Sequence, residues 1–90
     1  LSKNLSNWFV YIVECSDKHK TLYTGITNNL FSRIEKHNKG LGAKYTKGRT
    51  PVYLLKTFKV KTKSEALKLE YKIKHLPREE KLKYQQKDIE

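Results

Sequence analysis

Little in this 90-residue chain could crosslink, bind metal through sulfur or cross a bilayer. It has one cysteine, Cys15, and no methionine. A disulfide framework and a thiolate zinc site within one chain are thereby excluded; a reducing, cytoplasmic setting is expected, with Cys15 a small core residue. No apolar run approaches the roughly 18 residues a membrane span needs, no signal peptide is apparent, and no membrane partner is expected. Acidic residues are scarce, nine Asp and Glu against twenty Lys and Arg, for a formal charge of +11. Length leaves room for a single core and one domain, read as residues 7–86. Residues 1–6 read as a disordered end or expression remnant, and residues 87–90 as a tail.

What is present points toward polyanions. At 37% hydrophobic, with six tyrosines among its aromatics, the chain can bury a modest core and is not disordered by composition. So large a positive excess on so small a body sets up a field that attracts nucleic acid. A merely solvated basic surface is the bland alternative.

The apolar stretch "NWFVYIVEC" (Asn7 to Cys15) is short, β-branched and aromatic, and reads as a buried central strand. "SDKHK" supplies turn chemistry before a second strand, "TLYTG", which makes a hairpin with a loop of about five or six residues. Thr27 to Asn29 can cap a helix running to about Asn38, with Gly40 as its left-handed stop. "GLGAKYTKGRTP" then forms a basic, mobile loop, and "VYLLKTFKV" (Val52 to Val60) a third strand. Thr62 and Glu65 make a T-x-x-E capping box for a helix to about Leu76, and Pro77 opens a short terminal one. The order β-β-α-β-α-α predicts an α+β fold, a three-stranded antiparallel sheet with helices packed over it.

Glu70 is the least expected residue. At 100° per residue, Ala66, Leu69, Ile73 and Leu76 define the core-facing arc of its helix, with Leu67 at the far edge, and Glu70 falls inside it. A carboxylate there needs an ion-pair partner or a bound cation. On the preceding helix Leu30 and Ile34 mark the buried stripe. Arg33 and His37 are i,i+4 neighbours on its border, both expected half-buried with polar ends at a shared rim. Arginine presents a planar fork to phosphate, and histidine exchanges a proton near neutral pH. Tyr11 and Tyr23 lie on paired strands, where tyrosines commonly just fill core, and Gly25 permits a close approach.

Together these residues resemble the GIY-YIG nuclease superfamily, whose two motifs here read "FVY" (Phe9 to Tyr11) and "YTG" (Tyr23 to Gly25). The likeness runs from about Trp8 to Tyr84, and "TGITNNLFSRIEKHNKGLGAKYTKGRTPV" is similar to the small stand-alone bacterial branch. Arg33, His37 and Glu70 sit where the family pattern has its arginine, its histidine or tyrosine, and its glutamate. The resemblance implies a metal-dependent endonuclease with a single Mg²⁺ (or Mn²⁺) held by Glu70. Arg33 would clamp phosphate, Tyr11 would act as general base helped by His37, and Tyr23 would position water or phosphate. A phenol with a reference pKa of about 10 needs nearby cations to lower it, and Arg33, the metal and the basic field could do so. Phe9 and Thr24 depart from the motifs' glycine and isoleucine. Ile26 stands where several relatives carry lysine, and Leu82 where some carry asparagine.

The loop offers Lys39, Lys44, Lys47 and Arg49 to phosphates, and Tyr45 as a stacking surface for an unpaired base. No base-reading motif is identifiable; DNA is favoured over RNA, with roles in repair or nucleic-acid processing. A homodimer or a partner protein that sets substrate choice stays open. The rival readings are a nucleic-acid-binding module with a degenerate site and a structural basic domain in which Glu70 merely forms an ion pair.

Overall fold

A computed structural model describes residues 7–85, so the expectations for residues 1–6 and 86–90 lie outside the described residues. Its elements are β1 (Trp8–Glu14), β2 (Leu22–Thr27), α1 (Leu30–Asn38), β3 (Tyr53–Val60), α2 (Lys63–Lys74) and α3 (Arg78–Lys83). The strands form one antiparallel sheet in the order β2-β1-β3. This is the α+β fold, and the element order, expected from the sequence.

β1 is central, so each of its faces meets a separate cluster. Val10 and Ile12 pack with Phe58, Ala66 and Ile73 on the α2 face, while Tyr11 and Val13 join Cys15 and Val52 beneath Leu30 and Ile34 of α1. A strand buried on both sides cannot alternate apolar with polar, which is why its sequence is nearly continuous hydrophobe. Each such side chain contributes about 1.5–3 kcal/mol by leaving water.

The hairpin ladder continues one rung past the strand ends, through Cys15 N–H donating to the Thr21 carbonyl at 2.8 Å. Asp17 closes the turn by accepting from both the Thr21 amide, at 2.8 Å, and the Thr21 hydroxyl. β2 runs two residues beyond "TLYTG", to Thr27, because Ile26 and Thr27 still pair with Val10 and Phe9. The register sets Tyr11 directly opposite Gly25.

Local signals end the helices as expected. The Asn29 side chain caps α1 by accepting from Ser32 N–H at 3.1 Å, and Gly40 follows with φ of 76°. Thr62 caps α2 by accepting from Glu65 N–H, while the Glu65 carboxylate reaches back one residue further than a standard capping box, to Lys61 N–H. The helix stops at Lys74, two residues short of Leu76, and Pro77 serves as the N-cap of α3 rather than its first turn.

Candidate active site

The site is built where α1 crosses the β1–β2 face of the sheet. Tyr11 projects from mid-β1 toward α1, and the space for its ring exists because residue 25 has no side chain. A Cβ there would lie 2.5 Å from the Tyr11 hydroxyl and 2.7 Å from its Cζ. Arg33 and His37, one turn apart on α1, both reach that hydroxyl. Arg33 Nε–H donates to it at 3.2 Å, and His37 Nε2 lies 2.8 Å away.

His37 is wholly buried, not half-buried at a rim as its helix position suggested. The loop after α1 folds back over the imidazole: Thr46 is also buried, with its hydroxyl 2.7 Å from His37 Nδ1. Gly42 packs so closely on the ring that a Cβ would sit 2.5 Å from Nδ1 and 2.9 Å from the His37 Cα. Further along, the Asn38 side chain grips Val52 by both its amide and its carbonyl. The loop expected to be mobile is thus tied at Thr46 and Val52. Gly42, Thr46 and Asn38 were not singled out from the sequence. Their signal is weak, a small residue and a hydroxyl in a glycine-rich loop just after a helix with histidine in its last turn.

Tyr23 borders the cluster half-buried, with its ring edge-on to His37 at a centroid distance of 5.4 Å and packed on Tyr45 at 5.8 Å. Tyr45 also carries the Arg49 guanidinium 4.6 Å from its ring centroid. That ring, offered by the sequence to an unpaired base, packs on two neighbours and stays 47% exposed. Arg49 is committed likewise: it donates to the Tyr45 carbonyl at 2.6 Å and lies 3.5 Å from Asp17. Lys39, Lys44 and Lys47 are exposed.

Electrostatics here are dominated by burial. It pushes the Tyr11 pKa above the ordinary phenol value, against the opposing pull of Arg33, with Tyr23 and Glu70 adding to the rise. The lowering expected from Arg33 is present, but in the free protein desolvation of a phenolate outweighs one guanidinium. Tyr23 is raised for the same first reason. Burial, and then Arg33, hold the His37 pKa below its ordinary value, so the imidazole is neutral at pH 7. Arg33 is held more firmly protonated by its bond to Tyr11.

Glu70 reaches the same cluster from α2, close enough that its charge acts on both phenols. Its carboxylate is 19% exposed and its Lys74 partner, 3.8 Å away, 52% exposed. This is a loose i,i+4 pair at a rim, not the tight buried pair a purely structural role would need. Among the described residues no three acidic, histidine or cysteine side chains gather as a preformed metal cage. A lone half-buried carboxylate beside open surface fits a hard, largely hydrated cation shared with a phosphate. A groove of about 370 Å³, lined by Leu22, Tyr23, Thr24, Tyr45, Lys74 and Lys81, runs past Tyr23. Arg33 shares a separate shallow pocket with Ile26 and Lys63. None of the helices among the described residues is long and apolar enough to cross a membrane.

Comparison with known proteins agrees with the geometry. The family model for the GIY-YIG catalytic domain matches residues 7–85. UPF0213 proteins of Staphylococcus aureus strains Mu3 and N315 are each 53% identical over 79 residues, covering 88% of this chain and 94% of theirs. The solution NMR structure of a UPF0213 protein from Bacillus halodurans is 47% identical, with a TM-score of 0.51 over 86% of this chain and 80% of that one.

Proposed function

Since this chain belongs to the GIY-YIG catalytic-domain family, a family of nucleases, we propose that it is a metal-dependent endonuclease that hydrolyses phosphodiester bonds in DNA, in repair or nucleic-acid processing. The observation that carries the reading is the hydrogen-bonded run Arg33–Tyr11–His37. It gives a phenol both a cation to support a developing negative charge and a neutral base to receive its proton.

In this mechanism Tyr11 Oη takes a proton from the attacking water while passing its own to His37 Nε2. The water oxygen bonds to phosphorus, the bond to the leaving oxygen breaks with its electron pair, and that oxygen takes a proton from solvent. His37 then returns its proton to Tyr11 Oη, which gives up to solvent the one it took from water. Transfer in step avoids a free phenolate, which the raised Tyr11 pKa disfavours. Arg33 keeps Nε on Tyr11 and offers its remaining N–H groups to a phosphate oxygen. Tyr23, at the groove, positions the phosphate or water. Glu70 would hold Mg²⁺ or Mn²⁺, and the ion when bound would offset charge on the phosphate and leaving oxygen. Lys39, Lys44 and Lys47 would neutralise flanking phosphates.

One observation favours a second reading. Tyr11 has no exposed surface in the free protein, so its hydroxyl meets water only if a neighbouring side chain shifts. A chain in which that shift never occurs would be a nucleic-acid-binding module with a sealed cluster. Cleavage of DNA by wild type, Arg33→Ala and Glu70→Gln separates the two. The nuclease reading expects metal-dependent cutting lost in both variants with binding largely kept; the binding-module reading expects no cutting by any of them.

A further inference from the structure

We infer that Thr46 is a positioning residue that fixes the His37 tautomer, leaving Nε2 as the proton acceptor for Tyr11; the inference deepens the nuclease reading and rests on it for its catalytic consequence. A hydroxyl has one proton to give. Thr46 Oγ1 donates at 3.0 Å to the Ala43 carbonyl, which cannot itself be a donor. Thr46 Oγ1 therefore faces His37 Nδ1, 2.7 Å away, with a lone pair, and Nδ1 must carry the hydrogen. A neutral imidazole has only one N–H, so Nε2 is bare. The Tyr11 hydroxyl, which already accepts from Arg33 Nε, donates to it at 2.8 Å. Every hydrogen bond in the series runs one way, from Arg33 through Tyr11 and from His37 through Thr46 to Ala43 O.

The opposite tautomer would break the series at Tyr11. With the hydrogen on Nε2, Tyr11 would have to point its own hydrogen elsewhere in a fully buried site. Nδ1 would then take the hydrogen that Thr46 gives to Ala43, whose carbonyl keeps its two backbone donors, Thr46 N–H and Lys47 N–H, so the loss falls on the Tyr11 hydrogen. An unsatisfied buried polar group costs about 1–3 kcal/mol. Gly42 keeps the geometry, since the loop lies against the imidazole where no Cβ would fit. The residue acting on His37 is thus supplied by the loop that carries Lys44 and Lys47, and the loop's seating and the direction of proton transfer are linked.

The test is ring nitrogen NMR of ¹⁵N-histidine-labelled protein, with cleavage assayed in parallel. Wild type should show a protonated Nδ1 and an unprotonated Nε2 on His37 at pH 7. Thr46→Ser keeps the hydroxyl and should keep both that pattern and cleavage. Thr46→Val keeps the shape but not the hydroxyl; it should lose the Nδ1–H pattern, and cleavage should fall by about 10–100-fold, the usual cost of removing a histidine's orienting partner. A wild-type spectrum with the hydrogen on Nε2 overturns the inference without any variant. So does Thr46→Val with wild-type nitrogen shifts. If wild type cuts no DNA, the nuclease reading falls while the spectra still decide the tautomer.

Discussion

His37 Nε2 and the Tyr11 hydroxyl lie 2.8 Å apart although 26 residues separate them in the chain. The contact depends on two independent pieces of local structure. β1 and β2 pair in a register that sets Gly25 under the phenol, and the Asn29 cap fixes the phase of α1 so that His37 points inward. Each can be disturbed separately.

Alanine at either site-facing glycine should be harmful, because the added methyl meets the cluster itself. In Gly25→Ala it meets the Tyr11 phenol at 2.5 Å, and in Gly42→Ala the His37 ring at 2.5 Å and backbone at 2.9 Å. Overpacking of this kind costs about 1–3 kcal/mol. Thermal denaturation should show the loss in both, and cleavage should fall further than stability alone explains. Gly48→Ala, where nothing lies within 4 Å but φ is 84°, should lower stability without changing cleavage by the folded protein.

Stability should fall as pH drops through the histidine range. The unfolded chain takes up a proton on His37 at about pH 6.5, whereas the buried imidazole, facing Arg33, Tyr11 and Tyr23, resists until lower pH. Between those two pKa values the unfolded state binds more protons, so the His37 contribution is intact above about 6.5 and is lost on acidification. Asp17 does not confuse this window, since Thr21 hydrogen bonds hold its carboxyl below the usual range. Tm measured from pH 8 to pH 5 should decline below about pH 6.5; a flat profile would mean that the imidazole gains its proton as easily folded as unfolded.

Arg33→Lys tests whether charge alone suffices at this position. An ammonium preserves the cation but loses the fork that can bond Tyr11 through Nε and phosphate through its other nitrogens. Cleavage should drop by about 10²–10³-fold, the scale seen when one donor to a developing negative charge is removed. Unchanged cleavage by Arg33→Lys would show that the guanidinium geometry is not used.

The exposed loop lysines should act on binding alone. Lys44→Glu with Lys47→Glu should weaken DNA affinity most at low salt and flatten its salt dependence, by about 0.9 in log–log slope per lost phosphate contact. Fluorescence anisotropy across a salt series reads this directly. Arg49 is a poor substitute for these lysines in such a test. Its loss would also remove the contacts to Asp17 and the Tyr45 carbonyl, and would disturb the loop.

Much of the fold was legible because the signals were local. The buried-strand composition of β1, the caps at Asn29 and Thr62, and the i,i+4 spacing of Arg33 and His37 need only neighbouring residues. Tyr11, Tyr23, Arg33 and His37 do converge, and the charge of Glu70 on α2 acts on both phenols. What stayed hidden was long-range. Thr46 meets His37 only once the loop has folded back, and the commitment of Arg49 to Asp17 depends on the β1–β2 turn lying beside that loop. The upward shift of the Tyr11 pKa was missed for the same reason. A sequence shows the guanidinium nearby but not how completely the phenol is dried.

Metal dependence rests on Glu70, whose pair with the exposed Lys74, 3.8 Å away, is loose. The most direct measurement is cleavage of labelled duplex, single-stranded and branched DNA by identically purified wild type and Glu70→Gln, with Mg²⁺, with Mn²⁺ and with EDTA. Melting temperatures should be recorded for both proteins. Metal-dependent cutting by wild type alone, with Glu70→Gln as stable to within about 1 kcal/mol, is the predicted result. Equal cutting by both proteins, or a Glu70→Gln protein that has simply lost its stability, would contradict it.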